Sequence, residues 1–349
     1  MTFRKAIASD NGQLVALTNA TPMQGTISIC IKREPDFFAL LNKKGKPYVI
    51  VAEEDSEIIG CVSIVKEEMI LLNKPQVFYY LCDLKVHPDH RNKKIATKLC
   101  HQMHNYLLDN DADWMLSLAA KGNNKVMPIM QGKSGIDGSQ SLGTFIMYQL
   151  LPKKNIGLNK KYRIEAYDNM PAIINLYNEF NRRYVLHPVT SEESLKDCTH
   201  IAAFKNDKIV AAISLYDPVY FKQNVVIALP WYVNITTKLM RLMKPLFKFP
   251  PIPRKGEAIK ILYAKAYAFL TGYEDAFIEL IRYSRMHAYQ NKYTFFSIAF
   301  HEADKLKDLI KNMPAFTFRS HEFIGSLKNN TAVLNKIKEG NVIEDFSLV

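Results

Sequence analysis

The stretch of residues 79–102, YYLCDLKVHPDHRNKKIATKLCHQ, constrains the fold more than any other part of this chain. An apolar run at residues 77–86 has the composition of a buried strand and stops at a turn that contains Pro88. Apolar residues then recur at helical spacing from residue 95 to residue 107. The pattern predicts a strand, a tight turn and a helix. Basic side chains at the helix start, together with the unpaired N–H groups there, would attract a pyrophosphate.

The turn and the helix start resemble the coenzyme A loop of the GNAT superfamily of acetyl-CoA-dependent N-acyltransferases. The family pattern is Arg/Gln-x-x-Gly-x-Gly/Ala, and this chain has Arg91 and Ala96 at the two ends, with Lys94 in place of the middle glycine. A strand that ends Val-x-Pro before the arginine, as Val86 to Pro88 does here, is also usual in the family. The resemblance implies that coenzyme A binds a loop made of Arg91, Asn92, Lys93, Lys94, Ile95 and Ala96.

The resemblance also implies roles for the preceding strand. Backbone groups of residues 81–86 would bind the pantetheine arm, and the N–H of Leu84 or Val86 would face the thioester oxygen. Asp83 would be the catalytic general base, since it is an acidic residue in an apolar strand and burial is expected to raise its pKa. The alternative is that Asp83 points to solvent or bonds a neighbouring loop.

The general acid is harder to identify. The family usually has a tyrosine in the pattern Asn-x-x-Ala-x-x-x-Tyr, and Asn123 matches the first position, which the resemblance assigns to coenzyme A binding. Met130 stands at the tyrosine position, and a thioether cannot donate a proton. Either another group or water protonates the thiolate, or the domain is not catalytic. Tyr79, Tyr80 and Tyr148 are candidates for that group.

Length and an internal repeat indicate two domains. The chain has 349 residues, about two domains at a usual size of roughly 150 residues each. The segments FRKAIASDN and VAEEDSEIIGCVS are echoed later by YRIEAYDN and AFKNDKIVAAIS. The resemblance implies an α/β (α+β) fold of two tandem GNAT-like domains, each a mixed, mostly antiparallel sheet flanked by helices. The predicted bounds are residues 1–152, residues 160–330 with an insertion at about 219–257, and a tail at 331–349.

The second half departs from the pattern where a phosphate loop would lie. Residues 269–275, FLTGYED, contain one glycine, the two carboxylates Glu274 and Asp275, and no basic residue. Carboxylates at a helix start satisfy the helix dipole and repel phosphate. We therefore expect the first domain alone to bind coenzyme A, while the second contributes to the acceptor site or supports the first.

The insertion contains an apolar stripe at helical spacing over residues 235–246, followed by a proline-rich tether at 248–256. The favoured interpretation is a helix packed on its own domain. A lid over the acceptor cleft, a homodimer contact and a helix lying on a membrane are the alternatives. Residues 132–141, GKSGIDGSQS, lack the full phosphate-loop frame and are expected to form a flexible loop near the acceptor site.

Composition excludes other classes. No run of roughly 18 apolar residues predicts a membrane span, and the first residues lack a signal-peptide core. Five cysteines without CxxC spacing indicate reduced thiols in the cytoplasm and no metal site. The net charge of +12 fits nucleic acid, an anionic membrane or an anionic ligand such as coenzyme A. No nucleic-acid motif is present, so no nucleic-acid partner is expected.

These features predict an N-acyltransferase that moves an acetyl or other short acyl group from coenzyme A to a primary amine. The acceptor would be a small molecule or a peptide, acetyl-CoA would be the co-substrate, and no metal would take part. One alternative is a non-catalytic acyl-CoA-binding or interaction protein, which Lys94 and Met130 favour. A further alternative is a long-chain N-acyltransferase, which the apolar insertion favours.

Overall fold

The computed structural model describes residues 1–23, 28–123, 139–247 and 250–349, with the backbone alone for residues 240 and 244–247. The helices are α1 (Asn11–Ala20), α2 (Phe37–Lys44), α3 (Ile95–Asp109), α4 (Met170–Asn181), α5 (Glu192–Leu195), α6 (Trp231–Phe247), α7 (Glu274–Gln290) and α8 (Thr331–Glu339). The strands of the first half are β1 (Thr2–Lys5), β2 (Ser28–Lys32), β3 (Lys46–Glu54), β4 (Glu57–Leu71), β5 (Lys74–Val86), β6 (Trp114–Ala120) and β7 (Ser139–Leu150). Those of the second half are β8 (Arg163–Ala166), β9 (Leu186–Pro188), β10 (Thr199–Lys205), β11 (Lys208–Tyr216), β12 (Gln223–Ala228), β13 (Ala258–Ile259), β14 (Ile261–Phe269), β15 (Phe295–His301) and β16 (Ala315–Ser326).

Thirteen strands form one sheet, in the order β1-β3-β4-β5-β6-β16-β7-β15-β14-β11-β10-β8, with β9 paired to β4. Two strand pairs, β5–β6 and β14–β15, are parallel, and the other pairs described in this sheet are antiparallel. A second, small sheet joins β2, β12 and β13. The predicted α/β class with a mixed, mostly antiparallel sheet is confirmed.

The internal repeat of the sequence appears as a repeated order of elements. The first half runs β1-α1-β3-β4-β5-α3-β6, apart from the additional β2 and α2, and the second runs β8-α4-β10-β11-β14-α7-β15, apart from β9, α5 and the insertion. In each half a hairpin is followed by a strand, a long helix and a parallel strand. The helix between the two parallel strands is α3 in the first half and α7 in the second. Both halves therefore have the same central unit.

The two halves exchange their closing strands. β16, from the second half, lies between β6 and β7 of the first half, with Ser326 opposite Trp114. β7 in turn pairs with β15 of the second half, with Leu150 opposite Phe296. The sheet is therefore continuous, and a cut near residue 155 would remove a central strand from each half. The domain bounds stay a prediction about chain segments.

Buried side chains of β5 belong to two hydrophobic clusters, one on each face of the sheet. Side chains of successive strand residues point to opposite faces. Tyr79 and Leu81 are buried under α3, while Phe78 and Tyr80 are buried on the face that carries α1, α2 and α8. The face of a β5 residue thus decides whether it contacts α3 or the opposite helices.

Residues 331–349, which the sequence predicts as a tail, are folded. They form α8 and a short 3-10 turn at Phe346–Leu348. Leu334, Ile337 and Phe346 are buried in the core beside α1 and α2. This segment therefore stabilises the first half from the far end of the chain.

Two elements near residue 30 depend on specific contacts. α2 begins at Phe37, because the Asp36 side chain accepts a hydrogen bond from the Phe38 N–H at 2.8 Å. β2 pairs with β12 of the insertion, with Cys30 opposite Val225. Of residues 123–130, which match the family's Asn-x-x-Ala-x-x-x-Tyr pattern only at the first position, the structure describes Asn123 alone.

Among the described residues, no helix combines the length and the hydrophobicity that a transmembrane span requires. The same part of the chain brings no three His, Cys, Asp or Glu side chains together as ligands for a metal ion.

Candidate acyl-CoA site

An opening forms where β5 and β6 stop pairing. The parallel register runs from Phe78 opposite Trp114 to Leu81 opposite Ser117 and ends there. β5 continues to Val86 beside β4, and β6 continues beside β16. The two strands therefore diverge, and within the described parts of the chain no pairing between them continues past Leu81 and Ser117.

A bulge in β5 accounts for the divergence. Ser63 of β4 pairs with Cys82, and Cys61 pairs with Lys85, so Asp83 and Leu84 together face one β4 residue. Asp83 has a φ of 54°, in the left-handed region. An extra residue of this kind bends a strand and increases its twist. The bulge turns the end of β5 away from β6.

Leu84 and Val86, predicted to contact the thioester, lie in the diverging segment. The His87 N–H donates to the Ile59 carbonyl of β4 at 2.8 Å. Because N–H groups of consecutive strand residues point to opposite sides, the Val86 N–H faces away from β4 and towards the opening. Leu84 is two residues earlier and has the same orientation. Their role stays a prediction that this geometry permits.

The helix that follows begins without a cap. Lys94 is the N-cap residue of α3, with a φ of 58°, and its side chain makes no capping hydrogen bond. The amides of Ile95 and Ala96 therefore belong to the unpaired first turn of the helix. Arg91, Asn92, Lys93 and Lys94 are all exposed beside it. An uncapped helix start with basic side chains is a suitable site for a phosphate anion.

Close packing holds this helix start against the sheet. A Cβ atom built on Gly60 of β4 would lie 3.2 Å from Ile95 Cγ2 and 3.2 Å from Leu99 Cδ1. Only glycine leaves that space, so α3 approaches β4 closely. Ile95 and Leu99 are buried there, which fixes the orientation of the first helical turn.

Lys94 occupies the position of the family's middle glycine and adopts a glycine-like conformation. Replacing Lys94 by valine should lower the free energy of unfolding by about 1–2 kcal/mol, because a β-branched residue is strained at positive φ. Replacing it by glycine should leave the free energy within about 1 kcal/mol, since relief of strain offsets the entropy that glycine loses on folding. Urea unfolding of both variants measures this. A valine variant as stable as the parent would contradict the left-handed conformation.

Asp83 lies in a network of buried ion pairs. Arg33 Nη1 is 2.7 Å from Asp83 Oδ2, and Lys85 Nζ is 2.9 Å from Asp83 Oδ1. The Ser63 hydroxyl donates to Oδ2 at 3.2 Å. Burial by itself raises the pKa of Asp83, but Arg33 and Lys85 outweigh it and hold that pKa well below its usual range.

The expected rise in the pKa of Asp83 is therefore wrong. The sequence indicated burial correctly, since the side chain is about 5% exposed, but not the two cations. Lys85 is visible in the sequence as the i+2 neighbour on the strand. Arg33 follows β2 and is 50 positions away, so nothing in the sequence connects it with Asp83. The carboxylate bonds neighbouring elements, as the alternative interpretation of this residue stated.

Asn123 lies three residues beyond β6 and is exposed. Its N–H donates to the Ala120 carbonyl at 3.0 Å, which closes a turn at the end of the strand. Its contact with coenzyme A stays a prediction. Met130 and most of the loop at 132–143 lie outside the described residues. Of the tyrosines named as stand-in acids, Tyr80 is fully buried, and burial raises its pKa well above the usual value.

A second group of buried charges lies on the α1–α2 face of the sheet. Lys44, at the end of α2, is 3.0 Å from Glu344 and 3.4 Å from Glu67, and its ammonium group lies over the Tyr80 ring. Lys44, Glu67 and Glu344 line a cavity of about 130 Å³. Lys265 and Asp345, which form an ion pair, also line it. Both halves and the C-terminal segment contribute to this cavity. Sequence reasoning missed the cluster because its members are up to 300 positions apart.

Burial disfavours the ionised form of the Glu67 side chain. Burial raises its pKa to about 7, although Lys44 opposes the rise. Folded Glu67 therefore binds its proton more tightly than the unfolded chain does, so its contribution to the free energy of unfolding falls as pH rises from about 4.5 to about 7.

Replacing Glu67 by glutamine should remove this pH dependence. Between pH 4.5 and pH 8 the parent protein should lose free energy of unfolding relative to the variant, by an amount on the order of 1–3 kcal/mol. Urea unfolding at the two pH values checks the difference. Glu68→Gln, at the exposed neighbouring position, is the control and should follow the parent. Parallel curves for the parent and Glu67→Gln would contradict the raised pKa.

The corresponding region of the second half differs in the gap between its two parallel strands and in the charge at the start of its long helix. β14 and β15 pair only from Ile261 to Tyr263 and then diverge, but Tyr267 and Phe300 fill the gap with ring centroids 5.7 Å apart. The start of α7 carries Glu274 and Asp275, and Asp275 is bonded to Lys161. That this half does not bind coenzyme A stays a prediction, which the filled gap and the acidic helix start favour.

Comparisons with known proteins agree with this geometry. Residues 8–127 match the Acetyltransferase (GNAT) family. No curated protein matches the chain. Among solved structures, the Saccharomyces cerevisiae N-myristoyltransferase with bound myristoyl-CoA has a TM-score of 0.61 and 13% identity, covering 93% of this chain and 82% of that one.

Two bacterial proteins are also similar. The GCN5-related N-acetyltransferase from Anabaena variabilis has a TM-score of 0.53 and 12% identity, covering 93% of this chain and 72% of that one. An Enterococcus faecalis protein described as a probable N-acyltransferase has a TM-score of 0.53 and 11% identity, covering 92% and 72%. At such identities the likeness establishes the fold. Residues 8–127 thus match the Acetyltransferase (GNAT) family, and the chain as a whole shares the fold of these solved structures.

Proposed function

We propose that this protein transfers an acyl group from coenzyme A to a primary amine. The observation that carries the proposal is that the opening between β5 and β6 and the uncapped, basic start of α3 lie at the same end of β5. The opening would take the pantetheine arm, and the helix start would take the pyrophosphate. The family match over residues 8–127 supports this assignment.

The proposed chemistry uses backbone donors at the bulge. The N–H of Leu84 or Val86 would donate to the thioester oxygen and stabilise the negative charge that develops there. The amine must lose a proton before or during attack. Asp83 stays the proposed base. Its ion pairs with Arg33 and Lys85 stabilise the ionised form, so they make the carboxylate a weaker proton acceptor.

The acyl chain is proposed to be acetyl or another short group, with a long chain as the second candidate. The similarity to an N-myristoyltransferase over 93% of this chain favours the second candidate. Initial rates with acetyl-, octanoyl- and myristoyl-CoA would rank the donors.

The proposal is tested by measuring free thiol released from each acyl-CoA in the presence of a panel of primary amines and N-terminal peptides. Thiol release that depends on the amine, with an acylated product of the expected mass, is the expected result. The control is the same protein without an amine. Binding of coenzyme A without any amine-dependent release would instead support the non-catalytic acyl-CoA-binding alternative.

The proposed compartment is the cytoplasm. All five cysteines are free thiols, and burial raises the pKa of each of them. Buried, unpaired thiols are typical of proteins in a reducing compartment.

A further inference from the structure

The apolar stripe of α6 is exposed. Trp231, Ile235, Leu239 and Leu242 follow one another at intervals of four, four and three residues, so they share one helix face. Their exposures are 75%, 57%, 55% and 78%. The expectation that the apolar stripe of this helix packs on its own domain is therefore wrong for Ile235, Leu239 and Leu242. These apolar side chains lie on the helix face that points away from the rest of the protein.

Exposure of this apolar face to water is unfavourable in free energy. Burying a leucine, isoleucine or similar side chain contributes roughly 1.5–3 kcal/mol, and monomeric proteins seldom expose such residues side by side. Trp231 and Tyr232 begin the helix, and both residue types favour the boundary between water and an apolar phase. The stripe therefore has the properties of a contact surface.

The charge around the stripe identifies the partner. Residues 231–257 contain six Lys and Arg residues and one acidic residue, Glu257, so this segment carries +5 of the net charge of +12. Lys238 and Arg241 lie on α6 on the face next to the stripe, and residues 231–247 include no acidic residue. A basic helix with an apolar face fits an anionic lipid surface. A second copy of the chain would bring two such positive regions together, which disfavours a dimer through this face.

The fold connects α6 with Asp83 through two paired strands and one ion pair. β12, which precedes α6, pairs with β2, with Gln223 opposite Lys32. Arg33 comes directly after β2 and forms the ion pair with Asp83. A helix anchored through β12 and β2 therefore has a fixed connection to the bulge of β5.

We propose that α6 lies flat on an anionic membrane surface, with Trp231, Ile235, Leu239 and Leu242 inserted among the lipids and Lys238 and Arg241 contacting phosphate groups. The helix does not cross the bilayer. This surface is independent of the acyl-transfer proposal, because it rests on the exposure and charge of α6 alone.

The test uses the full chain and vesicles of phosphatidylcholine with or without 30% phosphatidylglycerol. The protein should sediment with the anionic vesicles at least tenfold more strongly than with the neutral ones, and added salt should weaken binding. The chain has two tryptophans, and Trp114 is buried, so a blue shift of emission on vesicle addition reports on Trp231. Trp231→Phe should abolish that shift.

Leu239→Glu combined with Leu242→Glu should reduce vesicle binding at least tenfold. The matched control is Leu108→Glu combined with Phe316→Glu, the same kind of change at two exposed apolar residues elsewhere, and it should bind as the parent does. Unchanged circular dichroism and urea unfolding would establish that the variants are folded. Equal binding of the two double variants to anionic vesicles would overturn the proposal. A parent protein that does not bind anionic vesicles would also overturn it. Sedimentation without lipid that gives a dimer, which Leu239→Glu and Leu242→Glu dissociate, would assign the stripe to a second copy and also overturn it.

Discussion

Replacing Asp83 by asparagine should lower the free energy of unfolding by about 3–5 kcal/mol. The side chain of Arg33 is about 8% exposed, and the substitution removes its buried counter-charge. Lys85 loses its partner at the same time. Two cations would then face each other across a neutral amide. Urea unfolding at pH 7 measures the loss.

A surface carboxylate in the turn that follows β5 provides the control. Asp89 is about 84% exposed and lies 3.7 Å from His87, so Asp89→Asn should change the free energy of unfolding by less than about 1 kcal/mol. Adding Arg33→Gln to Asp83→Asn should recover part of the loss, because the buried cation is removed together with its partner. An Asp83→Asn variant as stable as the parent would contradict the ion-pair network.

The same variants separate a structural role from a catalytic one. If Asp83 is the general base, Asp83→Asn should lower turnover by about 10²–10⁴-fold with coenzyme A affinity little changed. Arg33 is the largest of the influences that lower the pKa of Asp83, so Arg33→Gln should raise that pKa. The acidic limb of the pH–rate profile should then move to higher pH. A limb that stays in place assigns the proton transfer to another group, and His87 and His90 are the next residues to test.

The local parts of this fold could be predicted from the sequence. The strand, turn and helix around Pro88 depend on residues less than 20 positions apart, and their periodicity and charge are visible in order. The repeat was visible for the same reason. The absence of a phosphate loop at Glu274 and Asp275 also follows from local charge.

The remaining features depend on contacts between distant residues. β16 lies between β6 and β7, and no pattern in β16 indicates which strand it joins. Arg33 reaches Asp83, and Lys44 reaches Glu344, only because the sheet and the C-terminal segment fold together. An apolar stripe such as that of α6 is the same whether the helix packs on its own domain or faces outward. Exposure is a property of the tertiary structure, and periodicity carries no information about it.

Replacing Arg91 and Lys93 together by glutamate should weaken coenzyme A binding by about 10²–10⁴-fold. Each side chain is exposed beside the uncapped start of α3, where it can bond a phosphate oxygen. A charge-assisted hydrogen bond contributes roughly 1.5–3 kcal/mol, and two are lost in this variant. The new carboxylates add repulsion and also compete for the free N–H groups of the helix start. Calorimetric titration with coenzyme A measures the affinity.

A matched variant separates the effect of net charge on the affinity for coenzyme A from the effect of the position of the charge. Lys336→Glu combined with Lys338→Glu makes the same change in net charge at two exposed residues of α8, and it should leave the affinity within about twofold, because screening limits the reach of surface charge to roughly 10 Å. Dephospho-coenzyme A tells which phosphates bind the loop. If the pyrophosphate lies at the helix start, the loss of affinity in Arg91→Glu, Lys93→Glu should be as large for this analogue as for coenzyme A. A loss confined to coenzyme A would assign Arg91 and Lys93 to the 3′-phosphate, and no loss with either ligand would place the binding site elsewhere in the chain.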